Sequence, residues 1–360
     1  MSVVLKVNGT DYSGWKTASV TRGINQLAGN FSLSVSEQWP GSSLPTVGAG
    51  DECQILVNNT PVITGYVDDV SISYSATSHE ISIKGRSKVA DLIDCSILVA
   101  KQYTDEKIER IAEDLVKDYG IMVVTEVETG EPITEKINVG ESPFEAISKF
   151  AEMRGLIITD DPEGNLVFTR TSENRASAAL INKPGQTNIL TGSATLSMRD
   201  RYQTYRCISQ TKGDDHNNGE AVAAIKEEVQ DQNVIRHRPL VVIAENAGTN
   251  DACKKRAEWE MANRIGSAIE ISYTVNGWEQ SSDALWVPNL RISVDDDFLN
   301  QSGEFVVSNV TLSVGPGGAT TSLSCVLPES FTPKAEAPDT GKISPNSGSV
   351  SNVGGEEDVR

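Results

Sequence analysis

The chain has 360 residues, is 38% hydrophobic and 22% charged, and carries a formal net charge of −19, which describes roughly two to four folded domains with ordinary cores. Such acidity repels phosphate backbones and anionic membranes, which argues against nucleic-acid binding as a main function and against membrane association. No run of about 18 apolar residues is present to span a bilayer, and residues 1–6 lack the basic and apolar order of a signal peptide.

Residues 1–95 read as an all-β domain. Short alternating runs are punctuated by turns at Asn8-Gly9, Gly14, Pro40-Gly41, Gly48-Ala49-Gly50 and Asn58-Asn59. Residues 62–67 and 79–85 are strong strands, with 74–78 a turn between two strands. Six or seven strands over this length would close a small barrel or sandwich.

Residues 96–180 read as an α+β domain. Thr104 is placed to cap a helix over 105–119 that stops at Gly120, with Ile108, Ile111, Ala112, Leu115 and Val116 as its apolar stripe. A second helix starts at Ser142-Pro143, where proline suits the first turn. It turns Phe144, Ala146, Ile147, Phe150, Ala151 and Met153 to a core and stops at Gly155. A hairpin follows, with strands 156–159 and 166–169 around a turn at 160–165.

Residues 181–200 and 267–330 read as a second β-domain, interrupted by an inserted α/β domain at 201–266. The insertion holds a polar loop at 212–219, a β-like run at 240–243 and a helix from about 250 to 265, with Ala252, Cys253, Arg256, Trp259, Glu260 and Asn263 at helical spacing. Residues 331–360 are rich in Pro, Ser, Gly, Lys and Glu and lack the apolar residues that would offset ordering entropy, so a disordered tail is expected.

The two β-domains echo one another. Phe31, Leu33 and Val35 lead into Trp39 as Ile269, Ile271, Tyr273 and Val275 lead into Trp278; residues 53–57 are echoed by 290–294, and 67–73 by 307–313, at offsets of 239, 237 and 240. An earlier pair, 18–22 and 194–199, is offset by 176, and 239 − 176 = 63 residues suggests an insertion after the first strand of the second copy. Two similar β-domains in one subunit suit a ring or tube component better than an enzyme with one cleft.

The chemistry-bearing residues have plain readings. Cys53, Cys95, Cys207, Cys253 and Cys325 are odd in number with no C-x-x-C pair, which fits a reduced, cytosolic folding environment. His216 after Asp214 and Asp215 looks like a metal cluster but sits in a glycine- and asparagine-rich loop; His79 beside Glu80 reads as an exposed strand position. Arg236, His237 and Arg238 form a short basic segment that could dock an acidic neighbour or be a surface loop. Asp295-Asp296-Asp297 lacks the ligand spacing of a calcium loop and reads as a hairpin turn. Gly315-Pro316-Gly317-Gly318 opens no helix and reads as a turn, and Asp160-Asp161 and Glu227-Glu228 are adjacent pairs, not opposed carboxylates of a glycosidase. Trp39 and Trp278 occupy equivalent places in the two copies, which argues for packing over an interface or sugar-stacking role; Trp15, Trp259 and Trp286 complete the set. No catalytic, cofactor or metal site is expected, and the interface residues are not legible.

The ordered set of landmarks resembles the Mu-type phage baseplate hub family. Asn8-Gly9 with Gly14-Trp15, Arg22 and Phe31-Ser32-Leu33 open the resemblance. Thr64-Gly65-Tyr66-Val67-Asp68, Gly85-Arg86-Ser87-Lys88 and Asp91-Leu92-Ile93-Asp94-Cys95-Ser96 are its most distinctive stretch. Glu141 to Ile147, Arg238-Pro239-Leu240, Arg256 to Glu260 and Leu285 to Asn289 follow in the same order, so the match runs over about residues 5 to 330. The resemblance implies a non-enzymatic hub of a contractile tail: a homotrimeric ring with a central channel, through which DNA would pass unbound. Each subunit would carry two similar barrels, so that a threefold central spike meets a sixfold tail tube. The implied partners are the spike, the tube or a tube-initiating protein and other baseplate proteins, in a virion assembled in the host cytoplasm, with no membrane anchor. The expected fold is α+β and mainly β: two β-barrels, an α+β domain and a smaller inserted domain. The alternatives are the hub half of a type VI secretion spike, which usually continues into a β-helical needle where this chain has a polar tail, a cell-wall-degrading tail enzyme, and a glycan-binding adhesin.

Overall fold

The computed structural model describes residues 2–37, 47–76, 79–209, 225–244, 250–281 and 284–331. Trp39, the 212–219 loop with His216, and residues 332–360 of the expected 331–360 tail lie outside the described residues.

Seven strands make a first unit: β1 (Val3–Val7), β2 (Thr10–Tyr12), β3 (Thr17–Gly23), β4 (Asn30–Glu37), β5 (Glu52–Val57), β6 (Thr60–Tyr74) and β7 (His79–Ser87). They pair in the order β3-β4-β7-β6-β5-β1-β2, each antiparallel to its neighbour. Strict alternation sends Phe31, Leu33, Ile81 and Ile83 into the core. Asn58 and Asn59 take φ of 48° and 67° between β5 and β6, a left-handed pair that asparagine tolerates in a tight hairpin.

The next segment carries α1 (Asp91–Asp94), β8 (Lys101–Glu106), α2 (Ile108–Val116), β9 (Val123–Thr125), β10 (Ile133–Ile137), α3 (Pro143–Met153), β11 (Ile157–Asp160) and β12 (Leu166–Thr169). The apolar stripe of α2 is buried as the spacing predicts, and the chain leaves it at Gly120 with φ 66°. Its start differs. Thr104 lies inside β8, which pairs with β10, and Lys107 is the N-cap with no side-chain bond. The Asp105 amide donates to Thr134 Oγ1 across that pair at 3.0 Å, so these residues serve a strand instead of a helix cap. α3 starts as expected, through a reciprocal box: Glu145 N donates to Ser142 Oγ at 3.1 Å and Ser142 N to Glu145 Oε2 at 2.9 Å. Ile111, Leu115, Ile147, Phe150 and Phe168 form the core of this segment.

The second unit opens with β13 (Leu180–Lys183), β14 (Gln186–Thr187) and β15 (Ile189–Leu196). An excursion of β16 (Thr204–Ser209), β17 (Ile225–Gln230), β18 (Pro239–Ala244) and α4 (Asn250–Ser267) follows, and the unit closes with β19 (Ile269–Asn276), β20 (Arg291–Asp296), β21 (Gln301–Gly315) and β22 (Gly318–Val326). The excursion therefore follows the third strand of this unit, not the first; β13 and β14 are too short to show alternation. β16–β18 form a small sheet with Tyr205 and Cys207 packed on Cys253 and Ala257 of α4.

The pairing order of the second unit is β15-β19-β22-β21-β20-β13-β14, strand for strand the order of the first. β6 and β21 are each 15 residues long, β7 and β22 each 9. Both long strands shift register after an equivalent valine, Val67 and Val307, and 307 − 67 = 240 is the offset read from the sequence. The ladders align Val20, opposite Phe31, with Ala194, opposite Ile271. That offset is 194 − 20 = 174, two below the sequence offset of 176; a slip of two keeps every side chain on its face and so is invisible to a hydrophobic pattern. One pairing differs: β1 is antiparallel to β5, whereas β13 is parallel to β20. The chain is thus α+β and mainly β, and its two seven-stranded units share one 14-stranded sheet and one apolar core containing Leu33, Ile63 and Ile83 with Tyr273, Trp278 and Leu323.

Candidate functional site

The two units meet where β21 outruns β20. The first half of β21 pairs with β20, and its continuation, from Asn309 to Val314, pairs with β3 from Gly23 to Ala18. Val20 faces Leu312 across this joint, 1% and 3% exposed, and the Thr21 and Thr311 hydroxyls meet at 3.0 Å. Apolar burial on one face and a hydroxyl pair on the other make the joint a continuation of the sheet, not a surface contact.

The helical segment is braced against the same joint. Arg22 on β3 reaches Asp160 at the end of β11, with Nη2 3.3 Å from Oδ1 and 2.5 Å from the backbone oxygen. The Gly29 amide donates to the other carboxylate oxygen at 3.0 Å, Thr159 Oγ1 to the Gly23 carbonyl at 3.0 Å, and Thr64 Oγ1 to the Pro162 carbonyl at 2.8 Å. The glycines of the distinctive stretch have a packing reason. A Cβ on Gly65 would overlap the Arg86 carbonyl oxygen, and one on Gly85 would overlap the Tyr66 carbonyl oxygen. Arg86, beside them, pairs with Asp68 and Asp94 at 2.7 Å each, and those charged hydrogen bonds hold its pKa above even the usual arginine range.

A cleft of about 620 Å³ opens beside the joint, between Pro61 and Val62 of the first unit, Pro162 of the hairpin turn and Trp286 and Leu290 of the second unit. Its polar groups already hold one another: Asn58 Nδ2 donates to Glu279 Oε1 at 2.6 Å, and the Ser177 amide to Gln280 Oε1 at 2.8 Å.

The residues singled out from sequence do not converge. Asp160 is consumed by Arg22 and Gly29, while Asp161 caps its own turn by accepting from the Glu163 and Asn165 amides at 3.0 and 2.8 Å. Asp295 and Asp296 are not in a turn but end β20, opposite Ser302 and Gln301, and the turn is 297–300; the buried Asp296 caps it by accepting from the Phe298 and Leu299 amides. Glu228 pairs with Arg206 on the neighbouring strand. His79 opens β7 and stacks on Tyr74, with ring centroids 6.2 Å apart. In the basic segment, Arg238 packs over Tyr202 and donates to the Arg201 carbonyl, whereas Arg236 and His237 are exposed. Trp278 is buried and donates to the Ser313 carbonyl at 2.9 Å; Trp286 is buried as well. Among the described residues no group of three His, Cys, Asp or Glu is placed to hold a metal ion.

Electrostatic shifts follow packing too. Burial, then Asp68 and Asp51, push the Cys53 thiol up to about 12; burial alone does the same to Cys325, and burial with Cys253 to Cys207. Hydrogen bonds from Lys101, Lys117 and Tyr103 hold the Asp114 carboxyl well below the usual carboxylate range. Burial and then Asp296 raise the Tyr273 phenol. The residues that brace the joint, Arg22, Asp160 and the β3–β21 pairs, are not legible in the sequence as a site; Arg22 stands among the resembling residues, but nothing local pairs it with Asp160.

Comparison with known proteins gives this architecture a family. The model of the Mu phage baseplate assembly protein GpP-like N-terminal domain matches residues 2–87, the second domain of the baseplate hub protein gp44-like model matches 89–170, and the GpP fourth domain matches 249–334. The third domain of the NMB1110-like tail protein model matches residues 201–259. The baseplate hub protein gp44 of Escherichia phage Mu is 29% identical over 348 residues, covering 93% of this chain and 90% of that protein. Among solved structures, the 43 kDa tail protein of prophage MuSo2 from Shewanella oneidensis superposes with a TM-score of 0.81 at 30% identity, over 92% of this chain and 99% of that one. The tail protein from Neisseria meningitidis MC58 superposes at 0.78 with 22% identity, over 93% and 99%. With the sheet order, the braced joint and these relatives together, the chain belongs to the Mu phage baseplate hub family and is a structural component of a phage tail baseplate.

Proposed function

We propose that three copies of the chain form a ring that joins a threefold central spike to a sixfold tail tube. The observation that carries this reading is the repeated unit: two seven-stranded arrangements of one order, side by side in one sheet. Three subunits then present six similar surfaces to a tube while keeping threefold symmetry for a spike. A ring of this kind is an obligate homo-oligomer, held by extensive buried contacts. Its work is mechanical, with no catalytic step, and DNA passes the channel without being bound. The partners are the spike, the tube or a tube-initiating protein and other baseplate proteins, and assembly takes place in the host cytoplasm.

Native mass measured by light scattering, alone and with the spike protein of the same tail, tests the reading. A trimer that binds the spike supports it; a monomer at every concentration that ignores the spike sinks it.

A further inference from the structure

We propose that the outer edge of β15 pairs antiparallel with the 68–74 half of β6 in the next copy of the chain, repeating between subunits the joint that β3 and β21 make within one. This rests on the ring reading above and names the contact that would close it.

The strands that run through the joint form a ribbon in the order β15-β19-β22-β21-β3-β4-β7-β6. At its middle, the third strand of the first unit (β3) pairs with the far half of the sixth strand of the second (β21). At its two ends stand the counterparts: β15, third strand of the second unit, and β6, sixth strand of the first. β15 pairs only with β19, and β6 beyond Val67 pairs only with β7, so each keeps an edge that no strand occupies among the described residues. An open edge is a row of unpaired backbone donors and acceptors, ready to take a strand. These two edges lie at opposite ends of one ribbon, so they meet by joining copies head to tail, a heterologous contact that closes as a ring.

The offsets fix the register. Adding 240 carries β6 onto β21, and adding 174 carries β3 onto β15. The internal pair Leu312–Val20 then becomes Ile72 opposite Ala194, Val310–Arg22 becomes Val70 opposite Leu196, and Thr311–Thr21 becomes Ser71 opposite Thr195. The residue chemistry agrees. A second hydroxyl pair replaces the first, and the opposite face carries Ile72, Val70, Ala194 and Leu196, all apolar, with Leu196 in the place of Arg22. Ile72 is 61% exposed in the single chain, where its counterpart Leu312 is 3%, and Leu196, in the place of Arg22, is 62% exposed. Tyr74, on the same face as Ile72, is 83% exposed. On the face that is covered at the internal joint, Ile72, Tyr74 and Leu196 are bare at the ends of the ribbon, while Val70 and Ala194 are half-buried.

Disulfide trapping in the full-length chain tests the contact. In a Cys95→Ser background, the Ser71→Cys/Thr195→Cys pair is expected to give disulfide-linked dimers and trimers under mild oxidation, reversed by reductant, because cross-strand pairs fall within disulfide reach. Each single variant should run as a monomer on the same non-reducing gel. Leu196→Lys, an exposed position, should retain its circular dichroism spectrum and drop from trimer to monomer mass. A protein of trimeric native mass whose cysteine pair does not link, or whose Leu196→Lys variant stays trimeric, overturns this joint and leaves the ring reading standing. A wild-type protein that is monomeric with and without the spike overturns both.

Discussion

Arg22 and Asp160 close the seam between β3 and the β11–β12 hairpin, with the arginine side chain 12% and the aspartate side chain 1% exposed. The same arginine lies opposite Val310 in the joint between the two β-units, so one side chain ties the helical segment to the place where the repeat is joined.

Removing one partner of this buried pair strands the other charge. Asp160→Asn or Arg22→Met should cost about 3–5 kcal/mol of unfolding free energy, whereas the double variant Arg22→Met/Asp160→Leu should lose much less. Urea titration of the four proteins measures it, and a single variant within about 0.5 kcal/mol of wild type would remove the pair from the list of supports.

Gly65 is required by close backbone approach, not by a turn. Gly65→Ala forces β6 away from the Arg86 carbonyl and should destabilise by more than about 2 kcal/mol, as overpacking against backbone does. Gly317→Ala, in open space at the β21–β22 turn, is the control and should stay within about 0.5 kcal/mol. Thermal unfolding of both distinguishes a packing glycine from a spare one.

Four of the five thiols are buried and Cys95 is exposed. An aromatic disulfide reagent at pH 8 should modify one thiol in the native protein and five in guanidinium, because Cys53, Cys207 and Cys325 are pushed up to about 12 and hold almost no thiolate there. The Cys95→Ser variant should show none in the native state.

Asp114 contributes to acid sensitivity. Its folded carboxyl lies below the unfolded value, so its stabilisation is complete above about pH 4 and fades as pH falls through the lowered folded value. The side chain is 36% exposed, so screening limits the effect to about 1 kcal/mol. Asp114→Asn should therefore show a flatter loss of stability below pH 4 than wild type, and an unchanged slope would assign the acid response elsewhere.

Much of the repeat was legible because alternation is a local signal: the echo of 67–73 in 307–313 lands on two strands with equivalent register shifts. Alternation could not separate 174 from 176, since both keep Ala194 and Leu196 on one face. The start of α2 misled because Thr104 and Asp105 are good cap chemistry, and only the distant partner β10 draws them into a strand. The parallel course of β13 and the meeting of β3 with β21, some 290 residues along the chain, are set by tertiary packing and leave no mark on neighbouring residues.

The excursion between β15 and β19 leaves and returns through a narrow neck, where the Ser197 amide donates to the Ala268 carbonyl at 2.8 Å directly beyond the Leu196–Ile269 rung. In the first unit the corresponding link from β3 to β4 is only the short stretch 24–29. A cargo hung from two adjacent rungs imposes almost no spacing demand on its host. Evolution can therefore trade that appendage for another of different size or shape while the sheet behind it keeps its weave.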